Sequence, residues 1–487
     1  NERGVRLPAS AVPNAGDGNV LGPNGIDGVW ILGNTRGSDL TLEVIGGSDY
    51  EIRTYEVTDA MTMGVGTTLT VGPGVVMKFA DYAKLTVKGL LSAVGEDPGV
   101  TSDAQPVVFT SAGDDAWGGD WNGDGYASTP EAGSWYGIGL SGTSEANEIR
   151  HAVVRYGDIG VVDGTVTIED VEVTRSSGSG IAGTRSELTI TRAEVYGNGG
   201  DGIYVYDGSA TIGGSRIYGN YGTGVWSRYY STVTVEADGS GTGSEIFGNL
   251  GYGASVESTA TLSAQGTWWG ASDGPSGAGT GSGDEVNEGV DWGSPLGVGS
   301  RYSYVNAGGG ASDGTIGAPV LEQGTASEAW GSEDGKSVWY DLEEVVLDYG
   351  SVPGATESGY RLLVGYYNAD ATSGVGGNVQ RLETGVGAVV HGSTPVEGTV
   401  KQYVCELLPG HFYDAGSGTK GLRLSFLRES GYRSVVSQVW LVEGASPGDT
   451  SEPSSTVTSP ADGSELSGTE ATISGTSGDG TGSGVAS

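Results

Sequence analysis

A single cysteine, Cys405, in 487 residues excludes an intrachain disulfide framework and most thiolate metal sites. A lone thiol among apolar neighbours reads as a small buried hydrophobe rather than a nucleophile. Basic residues are also scarce: 23 Lys and Arg stand against 61 Asp and Glu, for a formal net charge of −38. So acidic a chain gains nothing from counterion release, which argues against nucleic acid and against anionic membrane surfaces as partners. It suits salty or calcium-containing surroundings. Apolar runs fall far short of the ~20 residues that cross a bilayer, so no membrane insertion is expected. No run of ten or more residues holds a convincing helical period. The histidines, His151, His391 and His411, are scattered without metal-ligand spacing. A Gly-x-Ser-x-Gly elbow, a phosphate-binding loop and an Asn-x-Ser/Thr sequon are likewise missing. The sequence opens on Asn with no basic and apolar leader after it, as expected of a mature secreted product or an excised fragment.

What the chain has in excess is glycine, 92 residues, set between short alternating runs of Val, Thr, Ile and Leu. Many short strands joined by glycine turns fit that pattern, so the expected class is all-β. Between about 150 and 260 the sequence repeats. VEVTRSSGSGIAG, AEVYGNGGDGIYV, SRIYGNYGTGVWS and SEIFGNLGYGASV align, with Val173, Val195 and Ile217 spaced by 22 residues, as are Ile181, Ile203 and Val225. A seven-residue insertion near 237–244 precedes Ile246 and Asn249 and keeps the register on both sides. A repeat this short buries its apolar residues only by stacking on its neighbours, which predicts a parallel β-solenoid. The Tyr-Gly-Asn and Phe-Gly-Asn triplets predict tight turns, with Asn198, Asn220 and Asn249 tolerating positive φ and passing amide hydrogen bonds from coil to coil.

TTLTVGPGVVMKF, AKLTVKGLLSAVG and QPVVFTSAG carry the same alternation upstream. With these segments and TWWGASDGPSG near 267, the sequence resembles the right-handed parallel β-helix repeat family, the pectin-lyase-like fold of many secreted proteins. The resemblance covers roughly 50–300 and implies fold more strongly than activity.

One excursion from the coil carries its own pattern. DWNGDGYASTPE, residues 120–131, places Asp120, Asn122 and Asp124 at positions one, three and five, and Tyr126 at seven for a backbone carbonyl. Ser128 follows at nine and Glu131 at twelve, with Gly125 at the turn. This is the spacing of an EF-hand loop, and it predicts a calcium site built from those six residues. The flanking helices are absent and Ala127 replaces the large aliphatic residue of position eight, so a clamp is expected rather than a conformational switch.

An enzyme of this fold needs carboxylates and a base on one face of the coil. The alignment produces one outward column, Glu172, Glu194, Arg216 and Glu245, in which Glu194 and Arg216 can pair as a solvated ion ladder. No further pair joins it, so no catalytic residue is assigned. Trp268 and Trp269 are expected to seal the last coil, and His151 to sit at a strand end.

Composition shifts after about 300. KSVWYDLEEVVL, YRLLVGYYNAD, KQYVCELLP, GLRLSFLRE and VVSQVWLVEG predict an antiparallel β-sandwich. YRLLVGYYN and VSQVWLVE resemble galactose-binding-like jelly-roll domains, which implies carbohydrate binding, with Trp330, Trp339, Tyr366, Tyr367 and Trp440 as the available aromatics. STVTSPADGSELSGTEATISG resembles the opening strands of bacterial immunoglobulin-like repeats. The expected order is a β-rich arm over 1–50, a right-handed parallel β-helix over 51–300, a linker over 301–318, the sandwich over 319–445 and a Ser/Gly/Thr-rich tail over 446–487. GVWILG and DLTLEVIG in the arm are candidate strands for exchange between protomers. These features predict a secreted, calcium-stabilised, non-catalytic structural or adhesive protein that self-associates into a homopolymer at a cell surface, sheath or filament. A cell-surface polysaccharide is a further candidate partner. The alternatives are a polysaccharide lyase or hydrolase, or a carbohydrate-binding surface protein.

Overall fold

The structure, a computed structural model, describes residues 3–14, 26–47, 50–97, 104–124, 130–142, 146–293, 302–307, 313–326, 338–355, 359–367, 378–396, 401–444, 454–459 and 474–478. The chain divides into two compact units, one of residues 1–172 with 447–487, the other of residues 173–446. Among the described residues there is no α-helix.

The first unit is a stack of parallel coils. Alternation puts one side chain inward and the next outward, and the inward ones meet their equivalents one coil away. Met61, Leu85 and Ile138 form one such ladder, and Leu69 and Leu91 belong to another. All five are at most 1% exposed. The coil begins earlier than the expected residue 51. Ile26–Leu32 pairs in parallel with Thr54–Val57 on one side and Arg3–Pro8 on the other, and Leu40–Leu42 pairs with Thr68–Val71. GVWILG and DLTLEVIG are therefore taken up within the chain, and neither is available for donation to another protomer. Ser454–Ser459 and Ser474–Gly478 form an antiparallel pair.

The second unit has parallel coils of the same pattern and also contains the sandwich. Val195, Ile217 and Ile246 are in register, as are Ile181, Ile203, Val225 and Ala254. The seven-residue insertion is absorbed between Thr232–Glu236 and Glu245–Phe247 without loss of register. Left-handed backbone recurs at the coil corners at the repeat distance: Asp163 and Arg185, then Asp207 and Tyr229, have φ between 45 and 54°. In the Tyr-Gly-Asn and Phe-Gly-Asn triplets it is the glycine, not the asparagine, that takes positive φ: Gly197, Gly219 and Gly248 lie at 60 to 64°. Trp268 and Trp269 are buried but do not end the coil, since Gly283–Val286 and Val290–Asp291 pair in parallel with Ala254–Val256 and Thr261–Ser263 beyond them.

Two antiparallel sheets form the sandwich. One contains Tyr302–Asn306, Gln438–Gly444, Gly359–Tyr366 and Lys401–Leu407. The other contains Val320–Gln323, Glu344–Tyr349, Thr419–Ser430, Asn378–Thr384 and Val389–Val396. Tyr302–Asn306 falls in the stretch expected to be linker; its Tyr-Ser-Tyr-Val alternation marks a strand, overshadowed in sequence by the glycines that follow. Leu362, Val364, Leu382, Leu424, Phe426 and Val439 fill the space between the sheets. Cys405 is buried there, and burial pushes its thiol up to about 12, so it stays protonated and inert.

Candidate functional site

In the first unit, the described residues 112–124 and 130–134 leave the coil between Val107–Ser111 and Ile138–Ser141. Two tryptophans pin this excursion. Trp121 stacks on Trp30 at 4.4 Å and donates to Glu56 Oε2 at 2.6 Å. Gly28 makes room for it, since a Cβ there would stand 2.0 Å from the indole. Trp135 stacks on Phe79 at 3.9 Å and donates to the Arg155 carbonyl at 2.8 Å.

A buried lysine organises the stretch that leads up to Trp121. Lys78, fully buried, donates to the carbonyls of Asp114 at 3.0 Å and Gly119 at 2.8 Å, drawing both ends of 114–119 together. Burial lowers its pKa to about 8 against the opposing pull of Asp114, Asp115, Glu56 and Asp120. Thr110 donates to Asp114 Oδ2 at 2.5 Å, fixing that carboxylate. The fold-back brings Asp115 beside Asp120 and Asp124, with one carboxylate oxygen of each within 4.8 Å of the others. Burial raises the Asp115 pKa, Lys78 opposes this, and Asp120 and Asp124 add to it. Asp115 Oδ1 is buried without a hydrogen-bond partner.

Three converging carboxylates, one of which carries a buried oxygen without a hydrogen-bond partner, form a donor set suited to a hard divalent cation. Asp120 Oδ1 accepts from the amides of Gly123 at 2.7 Å and Asp124 at 3.0 Å. Asn122 Oδ1 accepts from the Asp124 amide at 3.1 Å. Of the six residues read from the EF-hand spacing, Asp120 and Asp124 enter this cluster and Asn122 braces it. Glu131 is exposed and lines a cleft with Asn122. Tyr126 and Ser128 lie outside the described residues. Asp115 is absent from the twelve-residue pattern because it precedes the loop; the Asp-Asp pair in SAGDD was the only signal for it.

In the second unit, the charged column takes a different form from a solvated ladder. Arg216 pairs with Glu194 at 2.9 Å and Glu245 at 3.0 Å, while Arg361 from the sandwich approaches Glu194 at 3.8 Å and Glu406 at 3.4 Å. Burial works against the Arg216 charge, but Glu245 and Glu194 outweigh it and hold its pKa above the usual value. Arg361 is 2% exposed and lies 5.1 Å over the Tyr196 ring. The sandwich covers this face: Tyr196, Tyr218, Phe247 and Trp268 pack with Tyr302, Leu363, Trp440 and Val442. Glu172, the column's member in the first unit, is itself buried. His151 faces Asp170 at 3.7 Å, and His391 bonds Tyr366 at 2.6 Å. Of the sandwich aromatics, Tyr366, Tyr367 and Trp440 are buried and Trp339 half-buried against the core, while Trp330 lies outside the described residues.

Residues 136–267 match the family described as "Right handed beta helix region", about a quarter of the chain. No curated protein sequence matches the chain. Among solved structures, tailspike protein 4 of bacteriophage CBA120 (enzymatically active domain) is similar at 8% identity over 85% of this chain and 64% of its own, with a TM-score of 0.26. The GH26-CBM35 β-(1,4)-mannanase of Podospora anserina is similar at 12% identity over 30% of this chain and 28% of its own, with a TM-score of 0.18. ORF18 of Geobacillus virus E2 is similar at 10% identity over 81% of this chain and 70% of its own, with a TM-score of 0.24. The chain thus spans less than two thirds of the mannanase and of tailspike protein 4, and its right-handed parallel β-helix is the feature it shares with the matched family model.

Proposed function

We propose that the protein is a non-catalytic structural or adhesive component of an extracellular surface, sheath or filament, in which a calcium ion clamps the 112–134 excursion. The observation that carries this reading is the fate of the charged column. Glu194, Arg216 and Glu245, where acid-base chemistry on this coil would be sought, are locked into a largely buried ion chain beneath the sandwich. A face so covered serves rigidity. In the same reading the coil is of the pectin-lyase-like type, the sandwich is a galactose-binding-like accessory, and the strands near 454–478 open an immunoglobulin-like repeat.

Calcium is held by Asp115, Asp120 and Asp124 and supplies charge neutralisation to a loop that otherwise gathers three like charges. Self-association proceeds by strand addition at Arg3–Pro8, which among the described residues pairs only on its Ile26–Leu32 side. Electron microscopy with calcium and then with a chelator tests the reading. Ordered fibres or sheets that fall apart on chelation are the expected result. Dispersed particles in both conditions overturn the assembly and turn the search to cleavage of polysaccharides.

A further inference from the structure

We propose that the cleft beside the 112–134 excursion is a binding site for an uncharged oligosaccharide. The cleft encloses about 480 Å³ and is lined by Asp81, Tyr82, Ser111, Asn122, Glu131 and Ser134 among others. That volume falls within the ~300–1,000 Å³ typical of small-ligand sites. Tyr82 lines the cleft, and Tyr136 extends its aromatic surface outward, with ring centroids 5.8 Å apart and planes tilted by 49°. They are 71% and 56% exposed, in a chain that buries most of its large apolar side chains.

Their placement is held from the backbone. The Tyr82 amide donates to the Ser134 carbonyl at 2.8 Å, and the Tyr136 amide to the Ala83 carbonyl at 2.8 Å. Tyr82 takes a φ of 65°, a conformation that disfavours a bulky side chain and that here turns the ring outward. A rigid pair of tyrosines offers apolar faces to sugar C–H groups and hydroxyls to sugar oxygens. Asp81, Glu131 and Asn122 supply acceptors and an amide for ring hydroxyls. Two carboxylates in the cleft and a net charge of −38 repel uronates and other anionic sugars, which leaves a neutral chain as the ligand.

This inference does not depend on assembly. Calorimetric titration of the full chain in excess calcium, with cello-, xylo-, manno- and N-acetylchitohexaose as probes and oligogalacturonate as the anionic arm, tests it. Binding of at least one neutral probe is expected, weakened tenfold or more in Tyr82→Gly, which suits the left-handed turn, and in Tyr136→Ala. Tyr230→Ala, a 65% exposed tyrosine of the second unit, leaves it unchanged. Binding of oligogalacturonate alone, no binding of any probe, or binding indifferent to both tyrosine variants overturns the site. If ordered fibres form while the titrations stay flat, the cleft reading fails and the structural reading stands.

Discussion

Asn198, Asn220 and Asn249 solve a problem that every turn of the coil creates, a buried corner whose backbone carbonyls have no strand partner. Asn198 Nδ2 donates to Asn220 Oδ1 at 2.9 Å and to the Val173 carbonyl at 3.3 Å. Asn220 repeats this with Asn249 Oδ1 at 3.0 Å and the Val195 carbonyl at 3.1 Å, and the ladder ends where Asn249 donates to Asp284 Oδ2 at 3.0 Å. The carboxylate terminator needs no further donor to continue the series. Asn220→Ala leaves a buried amide and carbonyl on either side unpaired, at ~1–3 kcal/mol for each group that water cannot reach. Asn220→Asp keeps an acceptor for Asn198 but turns a charged oxygen toward Asn249 Oδ1, so it is expected to destabilise more than alanine at neutral pH. Urea unfolding of the three proteins decides this, and equal midpoints would reduce the ladder to a packing effect. The ladder was legible because the triplet recurs at the repeat distance. The left-handed residue was misread, because propensity alone allows Asn or Gly. At one triplet a contact from far along the chain adds to the preference: a Cβ on Gly219 would stand 2.9 Å from Leu363 Cδ2.

At the scale of elements, the sandwich is seated on the coil by aromatic stacking around a charged centre. Tyr196, Tyr218 and Phe247 stack at 5.0 and 4.9 Å with nearly parallel planes, and Tyr302 of the sandwich meets Trp268 at 4.4 Å. Along this seat runs the alternating chain Glu245, Arg216, Glu194, Arg361, Glu406. Arg361→Met removes one guanidinium from between Glu194 and the partly exposed Glu406, a loss that stays below the ~3–5 kcal/mol of a fully buried pair because Glu194 keeps Arg216. Thermal unfolding is expected to show a lower midpoint for Arg361→Met and partial recovery when Glu194→Gln is added. A double variant no more stable than the single one would mean that Arg361 acts through packing alone. The repeat predicted the Glu194–Arg216 pair but not its burial. A column of charges one coil apart looks the same in sequence whether water or a sandwich lies over it, and the covering residue lies 145 positions beyond Arg216.

At the scale of the whole molecule, the clearest tie between chemistry and stability is the acidic excursion. A ligand that binds only the folded chain stabilises it by mass action, by ~2.7 kcal/mol at a hundredfold excess over its dissociation constant. Calcium is therefore expected to raise the melting temperature. Two sets of residues compete to explain that rise. The twelve-residue spacing names Glu131 as the closing ligand. The fold-back organised by Lys78 instead brings Asp115 to Asp120 and Asp124, because a side chain 36 positions from Asp114 sets the path of 114–119. No local spacing rule contains that instruction, so Asp120 and Asp124 were readable and Asp115 was not. Asp115→Asn keeps the shape and removes a charge, and it is expected to abolish most of the calcium-induced rise, as Asp120→Asn also should. Glu131→Gln is expected to keep the rise. The reverse result, calcium response lost with Glu131→Gln and kept with Asp115→Asn, would restore the EF-hand geometry and remove Asp115 from the site. A rise in melting temperature in all three variants would place calcium elsewhere on this highly acidic surface and leave the excursion without its clamp.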